Sequence, residues 1–389
     1  MSGFPSPQEM IDRARNMKPR LRERAASVED NRRVSDETIA EFEDAGFFRI
    51  LQPKAYGGYE MRAEVLTDVI YEVASACGSS GWVISVLALH QWEVKLLADN
   101  VAEEIWGADR SVLLSSAYAP TGEVRPAEGG FVLNGRWPFS SGCDHAQWAI
   151  LGGIRPPAGP GEPPAHCGFF VPRTDYTIVD DWFTLGLAGT GSKSVVLDNV
   201  FVPARRHHPI FGAAPAPAAG SSAIYKLPFG LVFLEMLAAA VHGMARGILD
   251  QYIERSATRI ATLDRSPFAN NPDTHRIIAE SDFVIRSARL LSHANLAAAH
   301  DAVENGPEQP VIDKARHFWE TARTVHSCAE VAQRVYANSG AHAILAGDSV
   351  QRTFRDIQSA TNHMAFNANG YARNYGGMTM GHPNILNLI

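Results

Sequence analysis

Four stretches near the C-terminal end, roughly 229–258, 274–305, 310–338 and 349–375, carry apolar residues at helical spacing and are joined by short connections. Helices of that length, so tightly linked, can bury their apolar stripes only against neighbours, which predicts a four-helix bundle. From about Ser111 to Pro209 the pattern changes to short alternating runs broken by glycine and proline, among them VLLSSAYAP, GGFVLNGRWPFSS and SKSVVLDNVFVP. Such alternation predicts an antiparallel β domain, with Gly129-Gly130 and Asn134-Gly135 as turns. Ahead of it, helical spacing runs from Ser6 to about Gly107. There Ser35 is an expected N-cap, Val34 an expected staple onto Ile39, and Gly46 an expected stop. Arg62–Ala76 and Gly81–Ala98 read as further helices, the second apolar nearly all round and therefore buried. The chain is thus read as α+β: an N-terminal helical domain (1–110), a middle antiparallel β domain (111–210) and a C-terminal helical bundle (211–389). PPAGPGEPP (156–164) is expected as a surface loop, and FGAAPAPAAGSS (211–222) as a flexible connection or lid.

A length of 389 residues exceeds what one core usually serves, in keeping with several subdomains. The net charge of −7 and the lack of a Lys/Arg run argue against nucleic acid as a partner. With no signal-like apolar segment at the start and no run of about 18 apolar residues, the expectation is a cytoplasmic protein without a membrane span. The four cysteines, Cys77, Cys143, Cys167 and Cys328, are far apart and form no CxxC pair. Each is expected as a small buried hydrophobe, not as part of a metal or disulfide framework.

Several segments carry a resemblance. GLAGTGSKSVVLDNVFVPARR (186–206) and QRTFRDIQSATNH (351–363) resemble the Gly-Thr/Ser loop and the Arg-Asp motif of the acyl-CoA dehydrogenase fold. SACGSSGWVISVLALH (75–90), LLSSAYAP (113–120), WPFSSGCDHAQWAILGG (137–153) and LQPKAYGG (51–58) are similar to oxygenase components that hydroxylate phenols, such as p-hydroxyphenylacetate and secosteroid-phenol hydroxylases. Typical dehydrogenases of this fold place a glutamate base after the Arg-Asp pair. Here Arg355-Asp356 is followed by His363 and Met364, and methionine cannot take an α-proton. Glu254 is the one residue that keeps a dehydrogenase reading open.

The resemblance implies a two-component monooxygenase. Reduced flavin, FADH2 or FMNH2, arrives from a separate NAD(P)H-dependent reductase and reacts with O2 to a C4a-hydroperoxide, which oxygenates a small aromatic substrate. A homotetramer is implied as well. Such a site must stay dry and manage protons. Ser141 is expected near the flavin N5, where a hydroxyl both donates and accepts. His90 is expected to take the phenol proton, imidazole titrating near neutrality. His363 is expected to approach the flavin ring, and Ser116 to line the pocket with Trp82, Phe139 and Trp137. Thr190, Gly191, Ser192 and Lys193 are expected cofactor contacts. Related enzymes often carry a second histidine where this chain has Gln358, which leaves a relay there without its imidazole. Asp144 and His145 read as structural, since neighbours on a strand face opposite ways. Indole oxygenases and N- or S-oxygenases of the same branch are the alternatives.

Overall fold

The structure, a computed structural model, describes residues 3–157, 159, 161–210 and 221–386. The expected lid segment lies largely outside the described residues. Five helices open the chain: α1 (Pro7–Asp30), α2 (Asp36–Asp44), α3 (Ala63–Ala74), α4 (Gly78–Glu93) and α5 (Asp99–Trp106). The Ser35 hydroxyl accepts the Thr38 N–H and caps α2, Val34 and Ile39 are both buried, and Gly46 takes φ +78° just past the helix end.

Eight strands follow: β1 (Leu114–Ala117), β2 (Glu123–Ala127), β3 (Gly130–Ser140), β4 (Trp148–Arg155), β5 (Ala165–Pro172), β6 (Thr177–Val179), β7 (Lys193–Pro203) and β8 (His207–Pro209). They form two four-stranded sheets, ordered β2-β3-β7-β6 and β1-β4-β5-β8. Leu133, Trp137 and Val195 from one sheet meet Ala149, Leu151 and Phe169 from the other in a shared core. Two expectations are corrected here. The β1–β4 pair is parallel, because the chain leaves β1 for the other sheet and returns to its edge in the same direction. Asn134-Gly135 is no turn: β3 runs through it, and the register shift between Leu133 and Gly135 marks a bulge.

Helices α6 (Phe229–Thr258), α7 (Pro272–Asn305) and α8 (Val311–Asn338) form the bundle with α9 (Ser349–Ala360) and α10 (Ala368–Thr379). The fourth helix, expected unbroken to 375, is split: the His363 side chain caps the Ala365 N–H, and Asn367 caps α10. Helix α6 is long and apolar enough to cross a membrane by composition, but it is mostly buried inside the protein. It packs on both the N-terminal helices and the bundle. The approach to α3 is so close that a Cβ at Gly243 would lie 2.4 Å from the Tyr71 carbonyl oxygen, and one at Gly247 2.4 Å from that of Ser75. Within the bundle, the fully buried Glu235 accepts from Ser292 (2.5 Å) and Thr321 (2.7 Å), and burial raises its carboxyl to about 7.

Arg355 and Asp356 of α9 join the domains. The Arg355 guanidinium donates to Glu29 of α1 (2.5 Å) and to the Leu185 carbonyl in the β domain (2.5 Å), while Asp356 accepts the Leu187 N–H (2.6 Å).

Candidate active site

The sharp turn after β3 places Ser141 against α4. Gly142 has φ +71°, and a Cβ there would press on Val83 and Leu87 at 3.2 Å. The Ser-Ser-Gly turn thereby meets the Gly-Thr-Gly-Ser loop, whose Thr190 carbonyl accepts the Gly142 N–H (3.0 Å). Ser141 Oγ lies 2.7 Å from Ser192 Oγ, which lies 2.6 Å from Thr190 Oγ1, and that hydroxyl donates to the Leu187 carbonyl at 2.7 Å.

A carbonyl can only accept, so the direction of this chain is set from its far end. Thr190 spends its proton on Leu187, Ser192 must donate to Thr190, and Ser141 must donate to Ser192. Trp82 Nε1–H donates to Ser141 Oγ at 3.2 Å. Ser141 is left with acceptor capacity and no spare proton. That free acceptor fits the N5–H of a reduced flavin, with Ser141, Thr190, Gly191 and Ser192 as the residues that would hold the ring edge. Gly191 sits at φ +53° with Asp144 and an Arg32 carbonyl within 3.2 Å of where a Cβ would be. Lys193 is differently engaged: its ammonium pairs with Asp144 at 2.9 Å.

His363 presents its ring edge to Trp82, with centroids 5.7 Å apart. Its Nδ1 accepts the Ala365 N–H at 3.2 Å, so Nε2 carries the proton. Burial pushes the imidazole down to about 4, making it an uncharged N–H donor at neutral pH.

The second cluster sits at the far end of α4. His90 is fully buried, with Nε2 at 2.9 Å from Ser116 Oγ on β1 and Nδ1 at 2.6 Å from Glu93 Oε2. The same carboxylate accepts the Tyr118 hydroxyl at 2.5 Å and lies 2.8 Å from His208 Nε2 on β8. Burial alone would raise the Glu93 carboxyl, but His90 and His208 outweigh it and hold it down at about 2. Burial and the adjacent Glu93 charge push the Tyr118 phenol well above its ordinary value, so it stays a donor. A Ser–His–carboxylate chain results.

Aromatic rings lie between the two clusters and outline a candidate cleft. Phe233 of α6 packs on Tyr118 (5.5 Å, edge-on) and on His363 (5.9 Å), and all three rings remain partly exposed although they sit where the domains meet. Trp82 meets Ser141 and His363, and Ser116 meets His90. Trp137 does not line the cleft: it is fully buried in the β core and donates to the Gly152 carbonyl at 2.6 Å. Phe139 does not reach the cleft either. It is 64% exposed, takes φ +70° and stands edge-on to Trp182 at 5.8 Å. Asp144 and His145 are structural as read, though on a short 3-10 turn instead of a strand; His145 Nε2 lies 3.0 Å from the Val34 carbonyl. Gln358 donates to the Ala329 carbonyl at 3.4 Å.

Glu254 takes part in neither cluster. It is exposed, pairs with Arg22 at 3.1 Å, and lines a polar cavity of about 200 Å3 with Glu29, Cys77, Arg352 and Asp356, near the opposite end of α4 from His90. Met364 is exposed. Glu93, Tyr118, His208 and Phe233 were not singled out from the sequence. The available signal was a glutamate three residues after a histidine inside a helix with no polar face. All four cysteines are free and buried, and among the described residues no group of three or more His, Cys, Asp or Glu side chains is arranged to hold a metal ion.

Comparison with known proteins bears on the fold and the family. The acyl-CoA dehydrogenase N-terminal domain matches residues 7–97, and the acyl-CoA dehydrogenase C-terminal domain matches residues 235–368. The chain is 36% identical over 356 residues to the flavin-dependent monooxygenase oxygenase subunit HsaA of Rhodococcus jostii, covering 89% of this chain and 92% of that protein. It is 31% identical over 363 residues to the oxygenase component of p-hydroxyphenylacetate 3-hydroxylase of Acinetobacter baumannii, covering 91% and 85%. The crystal structure of 3-HSA hydroxylase from Rhodococcus sp. RHA1 superposes with a TM-score of 0.92 at 34% identity, covering 98% of this chain and 99% of that one. Likeness of that extent, over nearly the whole length, means that the chain belongs to the family of oxygenase subunits of flavin-dependent monooxygenases, on the acyl-CoA dehydrogenase fold.

Proposed function

We propose that this protein hydroxylates a phenolic or fused aromatic small molecule, using reduced flavin (FADH2 or FMNH2) and O2, with the flavin delivered by a separate NAD(P)H-dependent reductase. The observation that carries the reading is the Ser116–His90–Glu93 chain facing an aromatic cleft opposite Ser141. Bound reduced flavin supplies the two electrons that activate O2, one oxygen atom going to the substrate ring and the other leaving as water.

The protein's own part is positioning and proton handling. Ser141 keeps the N5 proton in place by accepting from it. His363 offers a neutral N–H to the same region, and the surrounding Trp82 and Phe233 rings keep water out. Trp82 and His90 are eight residues apart on one helix, about 12 Å along its axis, a span that accommodates an aromatic ring. At the far end the Ser116 hydroxyl receives the phenol proton and passes its own to His90 Nε2, which pushes electron density onto the ring carbon to be oxygenated. A homotetramer is also proposed. Phe283 and Leu290, seven residues apart on the outer face of α7, are 71% and 68% exposed and suit burial against another copy.

The test supplies the protein with enzymatically reduced flavin, O2 and a panel of phenols, indoles, amines and thiophenes, and identifies products by mass. Oxygenated phenol is expected, and no turnover from NADH and flavin without the reductase. Oxygenation confined to nitrogen or sulfur would refute the phenol reading.

A further inference from the structure

The His90 side of the site holds more than a base needs. Four polar side chains, Ser116, His90, Glu93 and His208, are at most 7% exposed, and Tyr118 reaches the same carboxylate. His208 Nδ1 lies 2.9 Å from the Pro209 carbonyl, an acceptor only, so that nitrogen carries a proton. The other ring nitrogen, Nε2, faces Glu93 Oε1. Glu93 Oε2 already receives the Tyr118 hydroxyl proton, and its remaining neighbour is His90 Nδ1. With Glu93 ionised, His208 doubly protonated and Nδ1–H of His90 donating to Oε2, every polar atom is satisfied and the group is neutral overall. His90 Nε2 is then an unprotonated acceptor with the Ser116 hydroxyl in front of it. His166 of β5, the other imidazole at this junction, is taken up by the Tyr118 carbonyl at 2.7 Å.

Resting on the phenol reading above, we infer that Glu93 is a positioning residue: it fixes His90 in the tautomer whose Nε2 accepts the substrate proton, and His208 keeps Glu93 ionised for that task. When the proton arrives, it passes from the substrate oxygen to Ser116 and from Ser116 to His90. His90 then becomes a cation beside Glu93, and the phenolate remains in the cleft. No other bond changes in this step. An isolated neutral imidazole exchanges between two tautomers, only one of which accepts a proton from the cleft. A buried imidazolium without a carboxylate is costly. Glu93 removes both difficulties.

The test uses the flavin-free protein and p-nitrophenol, whose phenolate is yellow, and follows the apparent pKa of the bound phenol by absorbance. In the wild type it should lie about one unit or more below its value in water. Glu93→Gln should abolish that shift, and His208→Gln should reduce it in the same direction, with the thermal melt reporting that each variant folds. If Glu93→Gln fails to fold, His208→Gln carries the test. With a confirmed substrate, Glu93→Gln should slow hydroxylation by about 10- to 100-fold at neutral pH. The deficit should vanish as the pH approaches the phenol's own pKa, because the proton is then already gone. A packing role for Glu93 predicts a loss that does not depend on pH. If His90→Asn removes the shift but folded Glu93→Gln and His208→Gln do not, the positioning role is overturned while His90 stands as the base. If His90→Asn also leaves the shift intact, or the wild type shows neither binding nor shift, the phenol reading itself fails.

Discussion

Because the hydrogen-bond chain from Ser141 to Leu187 has a fixed direction, it can be interrupted one link away from Ser141, at Ser192. Ser192→Ala removes the acceptor of the Ser141 proton and leaves the Trp82 bond to Ser141 Oγ in place. Ser141 then keeps a free O–H that competes for the position where only a lone pair is wanted. A neutral hydrogen bond is worth about 1 kcal/mol net, and a misdirected donor forfeits most of it, so the hold on the N5 proton should weaken about fivefold. Ser141→Ala should cost more, since the buried Trp82 N–H also loses its partner, which adds roughly 1–3 kcal/mol. The assay is the ratio of hydrogen peroxide to hydroxylated product per NADH consumed, with reductase and substrate saturating. Ser192→Ala should raise the peroxide share severalfold and Ser141→Ala more. If Ser192→Ala couples as tightly as the wild type while Ser141→Ala leaks, the direction of the chain does not matter and the argument from Leu187 fails.

Other outcomes rest on the same geometry. His90→Asn should slow product formation by about 100-fold, the usual worth of a placed acid–base group, while single-turnover oxidation of the reduced flavin keeps its rate; equal loss in both phases would mark His90 as structural. Asp356→Ala strands the Leu187 N–H and should cost roughly 1–3 kcal/mol of stability in urea, with a raised peroxide share, whereas Asp356→Asn retains the acceptor and should behave nearly as wild type. Glu235 titrates at about 7 in the fold against 4.5 unfolded, so it lowers stability as pH rises from about 5 through 7. Glu235→Gln should match the wild type near pH 5 and exceed it at pH 8 by up to about 3 kcal/mol; an equal difference at both pH values would contradict the assignment.

The sequence was most legible where local chemistry decides local structure. The Ser35 cap, the Gly46 stop and the start and end of α6 need only neighbouring residues. The pairing of Ser-Ser-Gly with Gly-Thr-Gly-Ser was legible only through resemblance. Nothing local in 190–192 says that a hydroxyl fifty residues earlier will meet it. Misreadings have identifiable causes. Asn134-Gly135 has the composition of a turn, but β7 pairs with β3 on both sides of it, and the extra residue of the bulge lies opposite, at Asp198-Asn199. The split after α9 is hard to see in the sequence because neither glycine nor proline marks it: His363 caps the short turn Met364–Phe366, and Asn367 then caps α10. Trp137 and Phe139 lie two apart on one strand, so alternation predicts a shared face. The positive φ at Phe139 and the register shift before Ser140 separate them, one into the core and one to the surface. Glu93 and His208 are 115 residues apart and meet only because β8 returns to its sheet beside α4.

Leu187 is bound at both ends of its residue: its N–H goes to Asp356 and its carbonyl receives Thr190, the last member of the chain that begins at Ser141. The Arg-Asp pair is thus a mounting bracket for the serine proposed to face the flavin, and in the proposed reaction it is not a reagent. A bracket is indifferent to the tool bolted onto it. Enzymes that remove hydrogen from thioesters and enzymes that add oxygen to rings can carry the same pair, and finding it in a new sequence identifies the frame alone. The trade is declared elsewhere, by the side chains one turn or two beyond the pair and by whether a Ser-Ser-Gly turn waits at the other end of the chain of hydroxyls.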